Sequence, residues 1–272
     1  MLHDAIIRPA RPEDVEAIAA LMLEDSSDQV RRITILGSPY LARFIADELS
    51  GNKNDEYLVC TVRERVVAMC GWRHTDRALH LNYIGVAPDM RGQGLGTALM
   101  LDGLRRIRRT PQHILSIDVF SDTPRAHAWY RSLHLRSEKH LQWIQLPLPA
   151  SKSGGGLHCT ISGLDKAAAD HLRYGFSQVI LTTNSASYQV GRLGSGLFRV
   201  GTFAILQDPA ALQGLARFDA ERQLLCIGSA GDYAALSPGT NSLVAESERL
   251  VSSCATLLEN LESSLSRRRH IQ

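Results

Sequence analysis

Short apolar runs alternate with longer stretches of helical periodicity through the first half of the chain. The run "AIIR" (5–8) is β-branched and strand-like. It leads into "PARPEDVEAIAALMLED", where Pro12 suits a helix start and Glu13 and Asp14 suit its positive end. Val15, Ile18, Leu21 and Met22 give that helix an apolar face. A second helix is expected over 38–51, closed by Gly51. Three strands follow at 56–62, 65–72 and 78–86, joined by the short polar connections "RER" and "HTDR". Connections of that kind suit hairpins, so an antiparallel meander is expected.

Leu95, Leu99, Leu101, Leu104 and Ile107 recur near helical spacing and predict a helix over 94–109, stopped by Pro111. A strand over 113–120 comes next, and it must run parallel to the strand before the helix if the three make a βαβ unit. A helix over 123–133 and a strand over 141–148 complete the order β-α-α-β-β-β-α-β-α-β. That order describes an α/β layer structure of the mixed, α+β kind.

"PLPASKSGGG" (147–156) interrupts the pattern with proline, serine and three consecutive glycines, the composition of a linker. The expected division is a first domain over 1–147, a linker over 148–156 and a smaller α+β domain over 157–272. In the second domain "LHCTI" reads as a strand and "LDKAAADHLRYG" as a helix. "FSQVILTT", "SYQVGRL" and "LFRVGTFAIL" read as strands, "DPAALQGLARF" as a helix and "QLLCIGS" as a strand. A long closing helix is expected over 242–265.

Composition narrows the class. With 44% hydrophobic and 21% charged residues the 272-residue chain reads as an ordinary globular protein. No apolar run approaches the roughly 20 residues of a membrane span. The N-terminus carries acids early and does not read as a secretory signal. Five scattered cysteines (Cys60, Cys70, Cys159, Cys226, Cys254) form no CxxC pair, which suits reduced thiols in a cytoplasmic protein and suggests no metal site. A net charge of +2 makes no case for nucleic acid, and the basic clusters at 105–109 and 266–270 fall at the ends of helix-like segments, where cations suit the dipole.

The junction "NYIGVAPDMRGQGLGTALM" (82–100) carries the chemistry. Gly92, Gly94 and Gly96 stand between a strand-like and a helix-like run. A glycine loop opening a helix lets bare N–H groups and the positive dipole end approach an anion. A P-loop is excluded, because no Gly-Lys-Ser or Gly-Lys-Thr occurs. A dinucleotide fingerprint fits poorly: 92–97 read GQGLGT, which misplaces the third glycine, and the loop follows a hairpin strand.

"RGQGLG" resembles the Gln/Arg-x-x-Gly-x-Gly/Ala pyrophosphate loop of the GNAT superfamily of acetyl-CoA-dependent N-acyltransferases, through Arg91, Gly94 and Gly96. The preceding "IGVAPDM" is similar to that family's strand before the loop, and the resemblance covers about 5–147. It implies a GNAT-like mixed sheet flanked by helices. The strands on either side of the loop and helix would splay to admit the pantetheine arm of acetyl-CoA as a cosubstrate. Backbone of Ile84, Gly85 and Val86 would hold pantetheine and thioester; N–H groups of Arg91, Gly92, Gln93, Gly94, Leu95, Gly96 and Thr97 would hold the pyrophosphate. The activity implied is transfer of an acetyl group to an amine acceptor, on a small molecule or a protein. A non-catalytic acyl-CoA sensor or assembly module with the same fold is the alternative.

"TPRAHAWYRSLHL" is similar to the family's Asn-x-x-Ala-x-x-x-Tyr helix, with Thr123 in place of the Asn and His134-Leu135 in place of the usual Gly-Phe. The resemblance makes Tyr130 the candidate acid for the coenzyme A sulfur and places Thr123 at the cofactor; a tyrosine packed on the sheet is the competing reading. Period-two alternation puts His80, Asn82, Ile84 and Val86 on one strand face. His80 then stands where some family members carry a base, and histidine suits that role near neutral pH. A histidine merely solvated at a hairpin mouth is the alternative, and Asp118 and Ser116 are further candidates. Cys70 reads as a buried apolar residue.

In the second half, "HLRYGFSQVIL" (171–181) resembles the helix-Gly-Phe-strand feature absent at His134-Leu135, so a degenerate second GNAT-like half without cofactor is one reading of this accessory α+β domain. Its role would be to cap the acceptor site or to form a homodimer interface. "GRLGSG" (191–196) is flanked by strand-like residues and predicts a hairpin turn.

Overall fold

The computed structural model describes residues 5–24, 26–51, 55–107, 113–150, 158–229, 231–232 and 242–269. The elements of the first half are β1 (Ala5–Pro9), α1 (Val15–Glu24), α2 (Asp28–Ile33), α3 (Leu41–Ser50), β2 (Asp55–Val62), β3 (Arg65–His74) and β4 (Leu79–Val86). They continue as α4 (Leu95–Ile107), β5 (Ile114–Phe120), α5 (Pro124–Ser132) and β6 (Arg136–Pro147). The second half holds β7 (Cys159–Ser162), α6 (Leu164–Tyr174), β8 (Phe176–Thr183), β9 (Ser187–Leu193) and β10 (Leu197–Val200). It ends with α7 (Pro209–Phe218), β11 (Gln223–Ser229), β12 (Ser242–Ser253) and α8 (Cys254–Arg269). The mixed α+β class appears, and so does the element order expected of the first half, with the short α2 added where no element was expected. Ser27 starts it by accepting the Val30 N–H at 3.2 Å.

The chain divides into two compact units. One gathers Met1–Ser26, Ala42–Lys139 and Glu248–Gln272; the other gathers Ser27–Leu41 and His140–Ser247. The end of the chain thus groups with the first unit, and a stretch near the start groups with the second. Of the expected linker, residues 151–156 lie outside the described residues, as does residue 157 after it.

In the first unit the strands run β1-β2-β3-β4-β5, and β12 follows next to β5. β2 to β4 form the expected antiparallel meander, β1 adds to it antiparallel to β2, and β4 meets β5 in parallel across α4. One face of this sheet packs on α4 and α8 through Trp72, Leu81, Leu99, Leu104, Leu257 and Leu261. Each large apolar side chain buried there contributes roughly 1.5–3 kcal/mol. In the second unit β6, β11, β10, β9, β8 and β7 are neighbours in that order, over a core that includes Ile144, Leu181, Val190, Phe198, Leu215 and Leu224. β9 and β10 are antiparallel and joined through 194–196, so "GRLGSG" is the hairpin turn expected of it. The buried Arg222 guanidinium donates to the carbonyl oxygens of Leu193, Gly194 and Leu197, fastening that turn. Among the described residues no helix is long and apolar enough to cross a membrane.

Two expectations in the second half need correction. The strand expected through 197–206 stops at Val200, where Gly201 and Thr202 turn the chain into a single 3-10 turn, Phe203–Gln207. Thr202 caps that turn by accepting the Ala204 N–H at 3.1 Å. The closing helix expected over 242–265 is instead β12 followed by α8. In β12 the stretch 247–252 buries Ser247, Glu248, Leu250 and Ser252, nearly alternate positions, as a strand between neighbours must. Only from Cys254, with Leu257 and Leu261, does burial recur at helical spacing.

Candidate active site

β4 and β5 are in register over three residues only, Leu79–Leu115, His80–Ser116 and Leu81–Ile117. Beyond Leu81 and Ile117 they part, so 82–86 and 118–120 lie outside the pairing. The splay implied by the resemblance is therefore present. On the other edge of β4, the Ala87 N–H donates to Val67 of β3 at 2.8 Å. Backbone direction alternates along a strand. Gly85, two residues back, therefore turns its N–H and C=O toward β3, while those of Ile84 and Val86 turn toward the opening. Gly85 matters in a different way: a Cβ there would lie 2.9 Å from the Leu21 carbonyl oxygen, so its bareness lets α1 close on the sheet. Of the three backbone positions implied for pantetheine, the structure orients Ile84 and Val86 into the gap and leaves Gly85 out.

Directly above the gap, the loop turns through two left-handed residues, Gly92 at φ 77° and Gly94 at φ 86°. A side chain there would be strained by roughly 1–2 kcal/mol. α4 then opens at Leu95, and Ala98 donates to the Gly94 carbonyl at 2.9 Å as the first helical bond of that turn. The N–H groups of Leu95, Gly96 and Thr97 thus precede any intrahelical acceptor and point out of the helix start. No acidic residue stands in this first turn. Gly96 lies inside the helix, where a Cβ would touch Val86 and the Trp129 ring at an ordinary 3.6 Å. The Arg91 N–H is turned to Pro88 O at 3.4 Å, and its Nε donates to Val86 O at 2.9 Å. Arg91 therefore braces the loop against the end of β4. Gln93 reaches back to Met90 Sδ at 3.9 Å.

α5 carries Tyr130 into the same core, buried and tilted against Trp129 at 5.0 Å between ring centroids. Burial holds its hydroxyl well above the usual tyrosine pKa, so it stays protonated. Among the described residues none hydrogen-bonds that hydroxyl. α5 ends in a left-handed turn, with His134 at φ 60°, Leu135 N–H to Tyr130 O at 3.2 Å and His134 N–H to Arg131 O at 2.9 Å. That is a Schellman closure with histidine in the seat that favours glycine. Replacing the exposed His134 by glycine should raise stability by about 1 kcal/mol, read in urea unfolding. A loss of stability would mean that the imidazole itself holds the turn. The Thr123 hydroxyl donates to Phe120 O at 2.6 Å.

The expected single face for His80, Asn82, Ile84 and Val86 does not hold. β4 bulges at Asn82: Gly71 stands opposite Tyr83, but Trp72 stands opposite Leu81. The extra residue flips the alternation. Leu81, Ile84 and Val86 share the α4 face with Trp72, Cys70 and Ala68, whereas His80 lies across from Arg73 on the other face. There the half-buried ring puts Nδ1 2.9 Å from Ser116 Oγ, which leaves Nε2 for another partner. Desolvation lowers its pKa, so the ring is neutral near neutral pH and can accept a proton. Asp118 is held at both oxygens by Arg249, at 2.7 Å each, and Ser116 is engaged by His80. Asn82 donates to Asp55 at 2.9 Å, and Arg73 grips the same buried carboxylate at 2.6 and 2.8 Å. Burial pushes the Cys70 thiol up to about 12, so it is no nucleophile.

The comparisons with known proteins agree with this geometry. A model of the Acetyltransferase (GNAT) family matches residues 22–135. Those residues are similar to that family's acetyltransferase domain. Among solved structures, a putative acetyltransferase from Pyrococcus horikoshii matches with TM-score 0.63 at 14% identity, covering 93% of this chain and 90% of its own. A tandem GNAT protein from the clavulanic acid biosynthesis pathway gives TM-score 0.62 at 13% identity, with coverage of 92% and 98%. A GCN5-related N-acetyltransferase from Sphaerobacter thermophilus gives 0.57 at 14%, with coverage of 93% and 96%. At these identities the likeness is one of fold, and it extends over both halves. No curated protein matches the sequence.

The second GNAT-like half repeats the strand–helix–strand frame in β10, α7 and β11, but with its gap closed. β10 pairs with β11 in parallel along all of its residues, Leu197–Gln223 through Val200–Cys226. The start of α7 holds a carboxylate of the chain: Asp208 Oδ1 accepts the N–H groups of Ala210 and Ala211 at 3.1 Å each. Thr183 and Tyr188 hydroxyls donate to its other oxygen at 2.7 and 3.1 Å. Burial works against the charge, yet these bonds keep the Asp208 pKa below its ordinary value. A phosphate would meet a buried anion there, whereas the start of α4 offers the N–H groups of Leu95, Gly96 and Thr97.

Proposed function

We propose that the chain is an N-acetyltransferase that moves an acetyl group from acetyl-CoA to a primary amine by direct transfer. The observation that carries this reading is the parting of β4 from β5 beneath a loop with two left-handed glycines and an open helix start. A strand edge and an anion seat in line suit a pantetheine arm ending in a pyrophosphate. Ile84 and Val86 backbone would pair with pantetheine; N–H groups of the loop and first turn of α4, Gly94 to Thr97, would hold the phosphates. Acetyl-CoA would supply a thioester, whose acetyl carbon bonds to the amine nitrogen as its bond to sulfur breaks.

The chain's own part is positioning and proton management. His80 takes the extra proton of the ammonium form, so that the nitrogen lone pair is free. Tyr130 gives its proton to the departing sulfur and recovers one from the nitrogen of the new amide. The unit that contains the GNAT domain is the catalytic one on this reading. The second half, with its helix start filled by Asp208, is accessory and takes no acyl-CoA.

Incubation with acetyl-CoA, a panel of primary amines and a thiol reagent tests the proposal. Saturable coenzyme A release that depends on the amine is expected. Saturable acetyl-CoA binding without release on any amine would overturn it in favour of a sensor.

A further inference from the structure

β12 brings two charged residues from the far end of the chain into the first unit. Arg249 places Nε and Nη2 at 2.7 Å from the two oxygens of Asp118. Glu248 sets a carboxylate oxygen 3.4 Å from His127 Nδ1 on α5, the helix that carries Tyr130. Both partners are strategic. Asp118 lies two residues beyond Ser116 on the same face of β5, and Ser116 is the residue that His80 pairs and hydrogen-bonds with. The charged groups around His80 come from four strands: Asp118 of β5, Arg249 of β12, Arg73 of β3 and Asp55 of β2. Asp55 is already held by Arg73 and Asn82. Asp118 has Arg249 across its two oxygens.

We propose that Arg249 is a positioning residue for the proton acceptor: by gripping both oxygens of Asp118 it keeps that negative charge from acting alone on the His80 ring. This rests on the reading of His80 as the base. A lone carboxylate beside an imidazole favours the charged ring, and a charged ring cannot take a proton from the amine. Desolvation already favours the neutral ring, and Arg249 adds to that while Asp118 opposes it. With the ion pair intact the two charges largely cancel. A segment separated from His80 by more than half the chain thereby tunes the site without touching the reacting atoms.

The test compares wild type, Arg249→Gln, and Arg249→Gln combined with Asp118→Asn, with folding checked by near-ultraviolet circular dichroism. Glutamine keeps a hydrogen-bond donor for Asp118 while removing the charge. Titration of the His80 ring is followed by NMR in the absence of acetyl-CoA and amine, with the resonance assigned through His80→Gln. The single variant is expected to titrate at higher pH than wild type, and the double variant to return toward wild type, since both charges are then gone. The acid limb of kcat/KM should move in the same sense for each protein. An unmoved ring titration in a folded Arg249→Gln overturns the inference whether or not acetyl transfer occurs. A ring titration that moves while the kcat/KM profile stays put overturns the reading of His80 as base, and the positioning role with it.

Discussion

Replacing Tyr130 by phenylalanine is expected to lower kcat roughly hundredfold or more while leaving acetyl-CoA affinity and stability close to wild type. The ring is buried in the core between α4 and the sheet, so phenylalanine keeps the packing. The hydroxyl has no hydrogen-bonding partner among the described residues, so its removal strands no buried group. What is lost is the proton that burial keeps on the oxygen, available to the sulfur as its bond to the acetyl carbon breaks. Pre-steady-state release of free thiol with a saturating amine separates this step from binding. An unchanged rate would make Tyr130 the packed tyrosine of the competing reading.

The glycine loop was legible in the sequence because its constraint is local. Gly92 and Gly94 take backbone angles that other residues avoid, and the apolar periodicity on either side announced strand and helix. Tyr130 was singled out by the resemblance of "TPRAHAWYRSLHL" to the family's helix. What stayed hidden was set by partners distant in sequence. Counting by twos along β4 presumes an unbroken ladder, but the bulge at Asn82 exists only in the pairing with β3, and it moves His80 to the face opposite Ile84. The stretch 242–253 carries charged and serine residues compatible with either a helix or a strand; its place in the sheet beside β5 decides for a strand. Arg249 and Glu248 were invisible for that reason. Gly201-Thr202, by contrast, was a local turn signal that the apolar run around it obscured.

Gly94→Val is expected to weaken acetyl-CoA binding roughly hundredfold, about 2.7 kcal/mol. Valine at φ 86° is strained, and the loop would relieve the strain by moving N–H groups away from the phosphate seat. Each charge-assisted hydrogen bond lost is worth roughly 1.5–3 kcal/mol, so displacing one or two accounts for the effect. The loop is a connection between finished elements, so the melting temperature should fall little. In the second half, Asp208→Asn keeps an acceptor for the Ala210 and Ala211 N–H groups and removes the charge, yet β10 and β11 stay zipped. No gap for a pantetheine arm appears there. The central claim is that one acyl-CoA site exists per chain and that it is the gap between β4 and β5. Isothermal titration of acetyl-CoA into wild type, Gly94→Val and Asp208→Asn tests it directly. One site per chain, lost in Gly94→Val and unchanged in Asp208→Asn, is the result expected; two sites per chain, or full affinity in Gly94→Val, would contradict it.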